Sequence, residues 1–159
     1  MIAIDKDEKI RKQISILLVE DDSNDILIIK SAIHKIKFNV LLKIIENGED
    51  AIAYLSGDGQ YNDRTQFPIP NLILIDLKLP RKSGHEILEW LGNQKELKRI
   101  PKIVLSSSLR SIDINRAYDL GVNSYLAKPS SFDSWLNIIK NIQSYWVQLN
   151  EYPDVNLSN

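Results

Sequence analysis

The apolar run Ile14-Ser15-Ile16-Leu17-Leu18-Val19 stops at three acids, Glu20, Asp21 and Asp22. Three later apolar runs also stop at polar residues: Leu72-Ile73-Leu74-Ile75 at Asp76, Lys102-Ile103-Val104-Leu105 at Ser106, and Val122 to Ala127 at Lys128. The types delivered are carboxylates, a hydroxyl and an ammonium. Crowded carboxylates repel unless a cation sits among them. A hard divalent ion such as Mg²⁺ takes oxygen ligands and keeps several waters, using only one or two protein carboxylates. Asp21 and Asp76 suit that role, with Glu20 holding waters or tuning charge. A carboxylate beside a metal can also act as nucleophile and carry a phosphoryl group. Asp76 is the candidate, because it closes an apolar strand that fixes its geometry. Lys128 would be a point charge for one phosphoryl oxygen and Ser106 a hydrogen-bond donor to another.

Each feature also has an ordinary explanation. Acids after a strand commonly cap the next helix, a serine at a strand end is usually structural, and Lys-Pro is a common turn dipeptide. Their joint occurrence at the ends of strands one, three, four and five, in order, is what points to a site.

The elements that would position these residues follow from apolar periodicity. Short unbroken apolar runs rich in Ile and Val read as strands buried on both faces. After Asp22 or Ser23, a plausible N-cap, Ile26, Ile29, Ile33 and Ile36 fall at helical spacing to about Lys37. Val40 to Ile45 is a second strand, Glu49 to Leu55 a short helix, and Ser56 to Pro70 a Gly- and Pro-bearing loop. Helices follow over about 84–91, 111–120 and 131–149, the second stopped by Gly121. Strands alternating with helices predict an α/β fold: a doubly wound five-stranded parallel sheet, order 2-1-3-4-5, with five helices. Ligands of such sheets bind at the carboxyl ends of the strands, where the polar residues collect. Residues 1–13 read as a flexible leader, 14–149 as one domain, and 150–159, with Pro153, as a frayed tail.

At 159 residues the chain has the size of one ordinary domain, and 43% hydrophobic with 26% charged residues is globular composition. The absence of cysteine excludes disulfides and thiolate chemistry. A net charge of −1 without a basic stripe argues against a nucleic-acid partner. The apolar runs are too short for a signal peptide or a membrane span. A soluble, cytoplasmic protein is expected. His34 and His85 lie inside helices and read as surface or packing residues.

The segments Leu17-Leu18-Val19-Glu20-Asp21-Asp22, Leu74-Ile75-Asp76-Leu77-Lys78-Leu79-Pro80 with Gly84, Val104-Leu105-Ser106 and Tyr125-Leu126-Ala127-Lys128-Pro129 resemble the bacterial response-regulator receiver domain, the CheY-like fold. The likeness covers about 14–147. It implies that Asp76 is the phosphoacceptor, charged by a histidine kinase with Mg²⁺ as cofactor. Glu20 and Asp21 match the family's acidic pair, and the backbone carbonyl of Lys78 would complete the protein ligands of the metal. Ser106 matches the hydroxyl that moves towards the phosphoryl group, with Ser in place of the commoner Thr. Lys128 matches the family's lysine, the bond to Pro129 is expected to be cis, and Tyr125 matches the switch aromatic. The loop from Gly57 to Pro70 and the segment Ile142-Gln143-Ser144-Tyr145-Trp146 are similar to small regulators that serve phytochrome-type histidine kinases.

Few residues remain after the last helix, too few for a DNA-binding output module, so output is expected from the domain's own surface. The apolar residues of the last helix spread wider than a core stripe needs. Phe132, Trp135, Tyr145 and Trp146 are therefore expected at an interface with a second copy or a protein target. Two enzyme-like and carrier-like alternatives fit less well. A haloacid-dehalogenase-like phosphatase wants a second acid two residues after its nucleophile, where Lys78 stands, and a flavodoxin-like carrier wants Ser, Thr and Gly where Glu20-Asp21-Asp22 stand. Chemistry limited to gaining and losing its own phosphoryl group, not turnover of a separate substrate, is the expectation.

Overall fold

A computed structural model describes residues 13–156. Its strands are β1 (Ile14–Val19), β2 (Val40–Ile45), β3 (Leu72–Ile75), β4 (Lys102–Ser106) and β5 (Ser124–Ala127). All pair in parallel, in the order β2-β1-β3-β4-β5. The helices are α1 (Ser23–Lys35), α2 (Gly48–Ser56), α3 (Gly84–Gly92), α4 (Ser111–Asp119) and α5 (Phe132–Ile142). The expected doubly wound arrangement is the one observed.

Successive side chains on a strand point to opposite faces, so a strand covered on both sides must be apolar at every position. On one face Leu17, Val19, Ile73, Ile75 and Val104 pack with residues of α2, α3 and α4. On the other, Ile16, Leu18, Leu72, Leu74, Ile103 and Leu105 pack with Ile29 and Ala32 of α1 and with Trp135, Leu136, Ile139 and Ile142 of α5. β3 is apolar throughout and β1 and β4 nearly so, with buried Ser15 and Lys102 near their amino ends, and parallel pairing sets their carboxyl ends side by side.

Local rules set the boundaries. Asp22 caps α1 by accepting from the amides of Asn24 and Asp25, and Ser83 and Glu86 form a reciprocal capping box on α3. The α1 helix stops two residues before the expected Lys37, which itself takes a left-handed φ of 53°. The expected start of β5 at Val122 is corrected to Ser124: Val122 is buried, but in the turn before the strand. The loop expected over 56–70 contains a short 3₁₀ turn, Gly59–Tyr61, and an aromatic cluster of Tyr54, Tyr61 and Phe67.

Two larger corrections fall at the C-terminus. The last helix is not one continuous α-helix to Leu149, because Gln143–Leu149 is a π-helical segment. The tail does not fray over its described part. Asn150 N–H donates to the Tyr145 carbonyl at 2.8 Å, the Tyr152 hydroxyl donates to the Trp146 carbonyl, and Val155 packs against the core. Tyr152 and Val155 supply the apolar surface that offsets ordering this polar, proline-bearing segment. The leader expected over 1–13 lies, apart from Gln13, outside the described residues. Among the described residues no helix is long and apolar enough to cross a membrane.

Candidate functional site

Three elements fix the acids. Glu20 follows β1, its amide donating to Ile45 of β2 at 3.0 Å, and its side chain is only 1% exposed. Its Oε1 accepts from the Asp22 amide at 3.1 Å, in the turn where Asp22 caps α1. Asp76 continues the β3 ladder, its amide donating to the Val19 carbonyl at 3.0 Å. Its Oδ1 accepts from the Leu77 amide at 2.7 Å and lies 3.4 Å from the Lys78 amide. Gly84 makes this corner possible: a Cβ there would lie 2.3 Å from the Asp76 carbonyl oxygen and 2.8 Å from Leu77 Cα.

Lys128 crosses the site from the end of β5, where its amide donates to the Ser106 carbonyl at 2.9 Å. Its ammonium reaches Glu20 Oε2 at 2.8 Å, Asp76 Oδ2 at 2.8 Å and Asp25 Oδ2 at 2.7 Å. Burial works against the charge on Lys128, but hydrogen bonds to Asp25, Asp76 and Glu20 outweigh it and hold its pKa above the ordinary lysine range. Burial pushes Glu20 the other way, up to about 7; Lys128 and the Asp22 amide pull it down and the charge of Asp76 adds to the rise. Ligand oxygens of Glu20, Asp21 and Asp76 lie within 4.8 Å of one another. An all-oxygen carboxylate set with one exposed member, Asp21, fits a hard divalent cation that keeps part of its water.

Ser106 is buried at the end of β4, and its Oγ accepts from the Ser108 amide at 3.1 Å. A hydrogen-bonded chain leads away from it. The Tyr125 hydroxyl donates to the Ser108 carbonyl at 2.7 Å, the Ser108 hydroxyl donates to Asp113 of α4 at 2.6 Å, and the His85 ring lies 3.1 Å from the Asp113 carbonyl. His85 is thus a packing residue, as expected, and His34 is exposed on α1.

The structure brings together Glu20, Asp21, Asp76 and Lys128, with Ser106 bonded to Lys128 through the backbone. Three expectations are revised. The Lys128–Pro129 bond is trans, since no cis peptide occurs among the described residues. Trans is the lower-energy form of an X-Pro bond, and the Lys128 ladder bond and ion pairs form with it in place. Trp135 is not an interface residue: it is 2% exposed and packs in the core between α5 and the sheet. Trp146 is half-buried against the same core, which leaves Tyr145 (55% exposed) and Phe132 (38%) on the surface. The residue missed from sequence is Asp25. Its only local signal, an acid in the first turn of α1, is what the helix dipole alone would favour.

Several known proteins resemble this chain in sequence and fold. The response regulator receiver domain model matches residues 16–140. "Probable methanogenesis regulatory protein FilR2" of Methanothrix harundinacea is 35% identical over 141 residues, 87% of this chain and 86% of that protein. Response regulator Rcp1 of Synechocystis sp. is 36% identical over 138 residues, 87% of this chain and 92% of that protein. The crystal structure of its Mn²⁺-bound form aligns with a TM-score of 0.80, at 35% identity over 88% of this chain and 99% of that one. The phosphorylated cyanobacterial phytochrome response regulator RcpA aligns with a TM-score of 0.83, at 36% identity over 90% of this chain and all (100%) of that one.

Proposed function

Since the chain belongs to the response regulator receiver domain family, we propose that it is a phosphoryl-operated switch whose acceptor is Asp76. It is a single receiver-domain regulator homologous to phytochrome response regulators, with no output domain within these 159 residues. Family membership implies a histidine kinase as its partner, and the likeness to Rcp1 and RcpA favours one of the phytochrome type.

One observation carries the assignment of Asp76. Asp76 follows the central strand β3, between Glu20 at the end of β1 and Ser106 at the end of β4, with one oxygen on the Lys128 ammonium and the other on the Leu77 amide; Glu20 is held in the same way, so the central place is what sets Asp76 apart. In the proposed step an Asp76 oxygen attacks the phosphorus of a phosphohistidine. The new O–P bond forms as the N–P bond breaks, and the imidazole leaves with the electron pair and takes up a proton. Glu20, Asp21, Asp76 and the Lys78 carbonyl would hold Mg²⁺, which supplies positive charge to the transferring oxygens when bound. Lys128 offers an ammonium to one phosphoryl oxygen. Ser106, whose hydroxyl accepts from Ser108, still has its own proton to donate to another.

Movement of Ser106 towards a phosphoryl group would pull on the Ser108 amide, and Tyr125 and Asp113 are tied to the same residue. Tyr125 and α4 are therefore the elements that would report the change. Output is proposed to pass to protein contacts, including a second copy, through Phe132, Tyr145 and Leu149, the exposed large apolar side chains of the C-terminal helical segment. Sedimentation is its test.

The chemistry is tested by intact-protein mass after incubation with acetyl phosphate and Mg²⁺, beside Asp76→Asn. A gain of one phosphoryl mass that needs Mg²⁺ and is absent from the variant is expected. A folded wild-type protein that gains none refutes the assignment.

A further inference from the structure

Lys128 uses all three protons of its ammonium on carboxylates, at 2.7 to 2.8 Å. Two of these, Glu20 and Asp76, belong to the oxygen cluster that fits a divalent cation, and Asp25 does not. Asp25 stands three positions after the Asp22 cap, in the first turn of α1, 103 residues away from Lys128 in sequence. Its side chain is 20% exposed and that of Lys128 11%, so the pair is largely shielded from water. The geometry points to Asp25 as a positioning residue. Its carboxylate draws the Lys128 ammonium towards α1, so that Glu20 and Asp76 can be shared with a metal while Lys128 stays in place for a phosphoryl oxygen.

The physical reason is competition for the same oxygens. An ammonium on Glu20 and Asp76 opposes a divalent cation on those two acids, both by occupying lone pairs and by like charge. A third carboxylate outside the metal cluster gives Lys128 a partner that it keeps when Glu20 and Asp76 turn to the metal. Without the Asp25 charge, Lys128 rests on Glu20 and Asp76 alone, and the site also loses one negative charge. Both changes weaken metal binding. The inference rests on the receiver chemistry proposed above and adds to it a residue outside the acidic trio.

The test compares wild type, Asp25→Asn and Asp25→Glu at equal folded fraction, checked by urea denaturation. Mg²⁺ affinity is measured by calorimetry, and hydrogen exchange of the Lys128 ammonium by ¹⁵N NMR. Asp25→Asn should bind Mg²⁺ about three- to tenfold more weakly, the scale of one carboxylate charge near a divalent ion in water-like surroundings. Its Lys128 ammonium should exchange faster, and Asp25→Glu should restore both. If Asp25→Asn fails to fold, Asp25→Ser gives the same comparison, since serine is well tolerated near a helix start. Mg²⁺ affinity within about twofold of wild type in the charge-free variant would overturn the role of Asp25 and leave the receiver chemistry standing. If wild type itself neither binds Mg²⁺ nor gains a phosphoryl group, both readings fall together.

Discussion

Replacing Glu20 with glutamine should change how the stability of the metal-free protein depends on pH, and the structure gives the size of the change. Glu20 is almost wholly buried, and burial is the largest influence on it, raising its pKa from 4.5 to about 7 against the pull of Lys128 and the Asp22 amide. Between those two values the folded protein holds a proton that the unfolded chain releases. Stability therefore falls as pH rises through this window, and by its upper end the cost reaches about 3 kcal/mol. Glutamine keeps the shape and cannot titrate, so Glu20→Gln should lack that part of the decline. Urea denaturation across the window, without divalent ions, gives both profiles. Their difference should swing by about 2–3 kcal/mol in favour of the variant as pH rises. Millimolar Mg²⁺ should then restore wild-type stability more than that of the variant, because an ion that binds only the folded state stabilises it by mass action. Parallel profiles would refute the reasoning. A swing of the opposite sign would mean that the bond to Lys128 outweighs burial.

Gly84→Ala should cost about 1–3 kcal/mol in urea denaturation, because the new Cβ meets the Asp76 carbonyl oxygen and Leu77 Cα, neither of which can give way like a flexible side chain. The same variant should take up phosphoryl from acetyl phosphate more slowly, and wild-type stability with wild-type uptake would show that the corner relaxes freely. Tyr145→Glu should leave the unfolding free energy from urea denaturation within about 0.5 kcal/mol of wild type and reduce self-association in sedimentation, since the ring is mostly exposed. An unchanged sedimentation profile would remove this face from the interface.

How legible each part was depended on how local its cause is. The bounds of β2 and β3 are those read from the sequence: β3 is buried and apolar throughout and stops where polarity begins, while the edge strand β2, half-buried and interrupted by Lys43, is bounded by Asn39 and Glu46. Apolarity alone misplaces the start of β5, because Val122 is apolar and buried but sits in a turn. Aromatic character alone misplaces Trp135 at the surface, whereas Ile139 and Ile142, which follow it at helical spacing, mark it as part of a core stripe. The tail hides its anchors among polar residues, and only the surface it meets shows why Tyr152 and Val155 hold it. Among the site residues, Glu20, Asp21, Asp76, Ser106 and Lys128 announce themselves by closing strands. Asp25 closes nothing, and its partner is distant in sequence, so no spacing rule could find it.

The surplus of acid in this site constrains how its events can be coupled. Glu20, Asp25 and Asp76 share one ammonium, Lys128, and Asp21 adds a further carboxylate beside Glu20 and Asp76. A site arranged for stability alone would pair its buried charges or remove them. Here burial raises the pKa of Glu20 even with Lys128 in contact, so the imbalance is carried by the folded state. A phosphoryl group on Asp76 replaces one negative charge with nearly two, and the ammonium that offsets part of the first cannot offset the second. A divalent cation on the Glu20, Asp21 and Asp76 oxygens would reverse the balance, so cation and phosphoryl group would favour each other, and by linkage that coupling is the same viewed from either side. The acids that make the metal-free fold less stable are thus what would make it responsive, and Lys128, held from the α1 side by Asp25, stays available to both states.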